Sequence, residues 1–192
     1  LRDREFPALA GTAFARSQAY STILIALALY ADQFGTTGFV EGLFGTGFAV
    51  VQLLIVLPLG RQVDKVNAKR WLLGGLALNV LVFFGFMLVE SSVHVILIRM
   101  VQGVGASILW ITGSTVIGHI SPDDENGRWL GSYNQVAAFS SLAGDAVGGY
   151  LLYAYDFTFT YVVLTGITIA AFVLVFAFLR DDPGGGVEND AG

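Results

Sequence analysis

A chain of 192 residues that is 55% hydrophobic and only 13% charged, with a mean hydropathy of +0.69, cannot clothe a soluble surface, which takes about 25–35% charged residues. It has no cysteine, which excludes a disulfide framework and thiolate metal sites. The formal charge of -5 is unevenly placed along the chain, so its distribution is more informative than its sum. The chain starts at Leu1 rather than Met, as expected of a trimmed or cut polypeptide, and no A-x-A-like cleavage site follows the first apolar run.

Six segments are long and apolar enough to be read as bilayer-crossing helices, each needing about 20 residues. In chain order they fall near 11–31, 39–60, 70–89, 93–118, 130–153 and 158–179. Gly, Ser and Thr recur within them, as they do where membrane helices pack closely. The sequence after 179, "RDDPGGGVENDAG", is polar, acidic and Gly-rich, and has nothing to bury. It is expected to be a cytoplasmic tail or the start of a linker.

The basic residues orient these spans. The amino terminus, the segments around 61–70 and 119–129 and the tail lie on one side, and carry Arg2, Arg4, Arg61, Lys65, Lys69, Arg70, Arg128 and Arg180. The loops on the other side carry Asp32, Glu90 and Asp156 and no Lys or Arg. The positive-inside rule makes the basic side cytoplasmic, with both termini there. Cell-membrane localisation follows as an expectation.

Three stretches carry more than topology. Gly60, Asp64, Lys65, Lys69 and Arg70 read G-x-x-x-D-[RK]-x-x-x-[RK]-[RK]. "IRMVQGVGAS" (98–107) places Arg99, Gln102, Gly103, Gly105 and Ala106 in the order R-x-x-Q-G-x-G-A. "SPDDENGRWLGSY" (121–133) has Pro122, Glu125, Gly127, Arg128, Leu130 and Gly131 at the spacing P-x-x-E-x-G-R-x-L-G. Taken in order, these resemble the second-to-third-helix loop, the fourth helix and the approach to the fifth helix of the major facilitator superfamily. "AGDAVGG" (143–149) is similar to the G-P-x-x-G-G of many export members, with Gly144, Gly148 and Gly149 matching and Asp145 in place of the proline. In the loop, Asn67 replaces a glycine and Ala68 a basic residue. Asn tolerates a left-handed turn better than other non-glycine residues, so its substitution for glycine is mild.

The resemblance covers about 11 to 180 and implies an all-α membrane fold. Six transmembrane helices would form two inverted three-helix repeats, together half of a major facilitator fold. It implies a carboxy-terminal six-helix half as partner, in the same chain or in a second subunit, and a solute path between the halves. The function implied is secondary active transport of a small molecule by alternating access. The export-type glycines of the fifth helix and a membrane acid lean toward proton-coupled efflux of hydrophobic or cationic compounds, as in an antiporter. Uptake of a small organic solute, or a non-transporting scaffold or sensor, are the alternatives. Asp64 is implied to gate, pairing with nearby basic groups at the cytoplasmic ends of helices, where Gly60 lets helices approach.

Ionisable groups inside a bilayer cost about 2.5–3.5 kcal/mol each on insertion scales and require partners or water. Arg16, Arg99 and Asp145 are those groups here. Arg99, Gln102, Ala106 and Gly113 share one helical face, and Asn134, Ala138, Ser141, Asp145 and Gly148 share another. By rise per residue Arg99 lies about 6–10 Å below the outer boundary and Asp145 about 12 Å, an offset that a guanidinium spans. Arg99 and Asp145 are therefore expected to meet, directly or through water or substrate, as a coupling element or as a static buried pair. Arg16 either snorkels to the headgroups or takes part in binding. Gln52, Asn79 and Trp110 could line a cavity, and Gly103, Gly105, Gly144, Gly148 and Gly149 are read as helix-packing positions. No nucleophile constellation, Walker loop, dinucleotide fingerprint or metal-ligand cluster is legible, so the sequence points to no enzyme, cofactor, metal or nucleic acid.

Overall fold

The computed structural model describes residues 2–63, 67–122 and 124–181. They form α1 (Arg2–Gln33), α2 (Gly38–Val63), α3 (Ala68–Met87), α4 (Ser92–Ile120), α5 (Asn126–Ala143), α6 (Gly149–Ala154) and α7 (Phe157–Phe178), with no strand among the described residues. A π-helical turn, Gly144–Gly148, joins α5 to α6 through helical backbone angles. The segment 126–154 is thus one rod, and the bundle has six rods.

Four helices are long and apolar enough to cross a membrane: Gly38–Gln62, Ala68–Met87, Ser92–Ile120 and Phe157–Phe178. The other two expected spans, α1 and the α5–α6 rod, form helices but fall short of that apolarity. α1 contains Arg16, Gln18, Ser21 and Thr22, and the rod contains Asn134, Gln135, Ser141 and Asp145. In α1 Gln18, Ser21 and Thr22 are buried in the bundle, whereas Asn134, Gln135 and Asp145 of the rod are exposed; either way polar side chains lower the apolarity of the helix. α1 also starts at Arg2, well before residue 11. Helical hydrogen bonding continues past the end of an apolar run because it does not depend on lipid.

Short caps set the turns. The Asn67 side chain accepts the Arg70 N–H at 3.3 Å, Ser91 accepts that of His94 at 3.4 Å, and Asp156 accepts that of Phe159 at 2.6 Å. Asn67 has φ -52°, so it works as the N-cap of α3 and not as the left-handed turn residue expected from its place in the loop. Gly35, at φ 57°, ends α1 in the left-handed region that glycine enters without cost.

α1 packs against α5, the π turn, α7 and α4, while α4 packs against α2, α3 and α1, and α3 lies on α7. Two apolar cores stack along the bundle. One gathers Leu9, Leu72, Leu76, Val116, Tyr133 and Val175, and the other Ile23, Tyr30, Phe44, Phe83, Phe86 and Tyr161. Between them runs a polar waist of buried Ser17, Gln18, Ser21, Thr22, Asn79, Arg99, Gln102 and Ser140.

The α1–α5 seam of that waist is held by side-chain hydroxyls. Thr22 Oγ1 donates to the Gly144 carbonyl at 3.1 Å, and Ser140 Oγ donates to the Phe14 carbonyl at 2.6 Å. A π turn loosens the helical hydrogen-bond ladder, so its carbonyls are open to an outside donor. A Thr22→Val protein, nearly isosteric, should lose about 0.6–1.7 kcal/mol in detergent unfolding, the range for interhelical membrane hydrogen bonds. An unchanged melting temperature would mean that the π turn needs no such donor.

Candidate functional site

Arg99 is the centre of the waist. It is 1% exposed, yet no carboxylate pairs with it among the described residues. Its Nε donates to the Phe44 carbonyl of α2 at 3.0 Å, and its Nη1 donates to Gln102 Oε1 at 2.5 Å. The guanidinium lies 4.5 Å from the Phe48 ring centre and 5.7 Å from that of Tyr20. Backbone oxygen, amide oxygen and ring faces thus replace a counter-ion, delocalising the charge without cancelling it.

Beside Phe48 and Tyr20 opens a cavity of about 330 Å³ between α1, α2, α4 and α5. It is lined by Arg16, Ser17, Tyr20, Phe48, Gln52, Ala106, Ala137, Ala138 and Ser141. Arg16 is half-buried; its Nη2 reaches only its neighbour Ser17 Oγ, at 3.4 Å, and its buried Nε has no partner among the described residues. Arg16, Gln52, Ala106, Ala138 and Ser141, all legible as candidates, are brought together here. Ser17, Tyr20 and Phe48 were missed, although Arg16/Tyr20 and Phe48/Gln52 stand at i, i+4 spacing, which places each pair on one face.

Asp145 does not contact Arg99. It is exposed on the uncovered side of the π turn, in line with exposed Asn134 and Ala138 and half-buried Ser141, whereas Arg99 turns toward α2. Asn79 is buried and donates to the Gly75 carbonyl at 3.1 Å on its own helix, and Trp110 is largely exposed on α4; neither lines the cavity.

The packing glycines divide. A Cβ on Gly103 would stand 2.8 Å from the Phe48 carbonyl oxygen, and one on Gly144 would stand 2.8 Å from that of Gln18. One on Gly148 would run into the Thr22 side chain, and one on Gly105 would be tight at 3.3 Å from Asn79 Nδ2. Gly149 departs from its expected role, since a Cβ there meets Ile25 at an ordinary 3.4 Å. Gly75, not singled out in the sequence, is as crowded as Gly103, with Ile108 and Leu109 at 2.9 Å.

Of the expected gating loop, Asp64 and Lys65 lie outside the described residues. Gly60 is half-buried near the end of α2 with open space around it. The Lys69 side chain is 14% exposed, 5.4 Å from the Phe176 ring centre and 3.5 Å from Asp181, while Arg70 is exposed. At the same end Arg180 Nε lies 3.4 Å from Glu5 Oε1, and Arg128 lies 3.6 Å from Glu125.

Apolar helices of spanning length around a polar waist define a multi-pass membrane protein. The model of the Major Facilitator Superfamily matches residues 9–191, and the chain belongs to that family. Among curated relatives it is 27% identical over 134 residues to the riboflavin transporter RibZ of Clostridioides difficile, covering 70% of this chain and 29% of that protein. It is 23% identical over 168 residues to the multidrug resistance protein B homolog of Mycobacterium tuberculosis (85% and 30%). It is 27% identical over 145 residues to the mouse sodium-dependent phosphate transport protein 3 (74% and 30%). The chain spans between 21% and 41% of the length of the curated relatives it matches.

Proposed function

We propose that this chain is the amino-terminal six-span half of a secondary transporter of the cell membrane, with both ends cytoplasmic. The transporter moves a small solute by alternating access, coupled to protons and in the export direction. One observation carries the reading: a buried guanidinium without a carboxylate partner among the described residues, next to a cavity of ligand size, in the middle of a membrane bundle.

Further features support it. Exchanging α1 with α4, α2 with the α5–α6 rod and α3 with α7 maps the principal helix contacts onto one another, as two inverted three-helix repeats require. The uncovered stripe of Asn134, Ala138, Ser141 and Asp145 is the face that a second six-helix half would close. Gly60, Asp64, Lys65, Lys69 and Arg70 would form the cytoplasmic gate. Close packing at Gly144 and Gly148 agrees with the export-type pattern. Relatives named for riboflavin and for multidrug resistance favour an organic solute. An apolar compound suits the Tyr20 and Phe48 walls, whereas a cation would meet Arg16 and Arg99.

Asp145 is the coupling carboxylate in this scheme, one turn beyond the cavity-lining Ser141 and exposed on the uncovered side of the rod. In the full-length protein reconstituted in liposomes, Asp145→Asn should lower proton-gradient-driven flux about tenfold while leaving solute exchange at zero gradient intact. Undiminished gradient-driven flux would remove the coupling role. Loss of exchange as well would make the residue part of the solute path.

A further inference from the structure

We propose that the cargo of this cavity is an organic anion: a carboxylate or phosphate head on a flat, apolar body. The inference rests on the transport reading and specifies its substrate. The cavity has one end suited to each part. Arg16 offers a planar fork of donors whose Nε is buried without a partner among the described residues and whose Nη2 touches only Ser17 Oγ, at 3.4 Å. A carboxylate or phosphate is the group that satisfies such a fork two donors at a time. Ser17, Gln52 and Ser141 provide further polar contacts on the cavity wall. One helical turn along from Arg16 and Gln52, Tyr20 and Phe48, with ring centres 5.4 Å apart, give an aromatic wall for a planar body.

The charge balance points the same way. Arg99 spends its own donors on Phe44 and Gln102, so it contributes field but leaves the cargo to Arg16. Away from the helix ends, the four helices around the cavity and the π turn that follows α5 hold Arg16, Arg99 and Asp145, a net charge of +1 even with Asp145 counted in. In a water-poor waist this excess repels a cation and lowers the cost of admitting an anion. One relative, from mouse, is named for the transport of phosphate, an anion.

The test uses purified full-length protein and three probes of one shape: 2-naphthoate, 2-naphthamide and 2-naphthylmethylammonium. Their binding is measured by calorimetry and their flux by counterflow in liposomes. Naphthoate should bind about tenfold or more tighter than the amide, with the ammonium weakest, as expected for a charge-assisted pair. Arg16→Gln should bring naphthoate down to the amide's affinity and leave the amide unchanged, and Arg16→Lys should keep part of the preference. The comparison on the unmutated protein stands even if a variant fails to fold. Equal binding of acid and amide, as when a carboxylate of the other half already occupies Arg16, overturns the proposal. So do a preference for the ammonium, no binding of naphthoate, or discrimination that survives Arg16→Gln. Counterflow of the amide or the ammonium in those cases would leave the transport reading standing while the anion inference falls.

Discussion

An Arg99→Met protein should insert and unfold at a temperature close to that of the parent, while its gradient-driven flux falls about a hundredfold. The two halves of this expectation have different causes. Burying a guanidinium in a bilayer costs about 2.5–3.5 kcal/mol on insertion scales, and replacing a buried charge by an apolar side chain of similar length is often neutral or stabilising. Against that stand the bonds to the Phe44 carbonyl and Gln102 and the ring contacts with Phe48 and Tyr20. Phe44 lies within α2, so its carbonyl keeps its helical partner, and cation–π contacts are worth about 2 kcal/mol or more in such desolvated sites. The gains and losses therefore nearly offset. Flux has no such compensation, because methionine supplies no field to the waist. Unfolding in detergent and flux in liposomes check the two halves separately. A large drop in melting temperature with retained flux would make Arg99 a structural residue.

Gly144→Val should be the most destabilising single change in the α1–α5 seam, costing about 3 kcal/mol or preventing accumulation in the membrane. A Cβ at 144 would stand 2.8 Å from the Gln18 carbonyl oxygen and 3.0 Å from its Cα. Both atoms are backbone of α1, so relief requires moving a helix. The seam would also give up the Thr22 hydrogen bond to the Gly144 carbonyl, since that bond depends on the same close approach. Gly166→Ala on α7 is the matched control, as nothing lies within 4 Å of a Cβ there, and it should melt no lower than the parent. Membrane yield and melting temperature of the two variants decide the matter. A Gly144→Val protein as stable as the control would show that α1 and the rod can part without cost.

The six rods were legible because lipid leaves a chain few alternatives to apolar helices, and each expected segment falls on a helix, with α1 starting earlier. Rise per residue also placed Arg99 and Asp145 at comparable depth. It could not supply rotation about the helix axis, and rotation is what separates them. The stripe of Asn134, Ala138, Ser141 and Asp145 keeps to the uncovered side of the rod while Arg99 turns toward α2, and counting along each helix separately does not show that the two faces diverge. The capping role of Asn67 was hidden for a related reason: Asn serves both as an N-cap and in left-handed turns, and only the backbone angles distinguish the two. The cavity was half legible. Arg16 and Gln52 stand out as polar residues in apolar runs, while Tyr20 and Phe48 are ordinary residues for a membrane helix until their rings are seen beside a guanidinium.

The two ends of the bundle are fastened by different physics. At one end the partly exposed pairs Glu5–Arg180 and Lys69–Asp181 tie the chain beyond α7 to α1 and α3. At the other, Tyr30 stacks on Phe157 at 4.3 Å and Phe86 on Tyr161 at 5.4 Å, with Phe83 alongside. Dissolved ions weaken the first kind of fastening once the screening length falls to about 3 Å at 1 M, below the 3.4–3.5 Å of the two pairs, and leave the second almost untouched. Ionic strength therefore acts as a one-sided control on this molecule, loosening the charged end while the aromatic end stays shut.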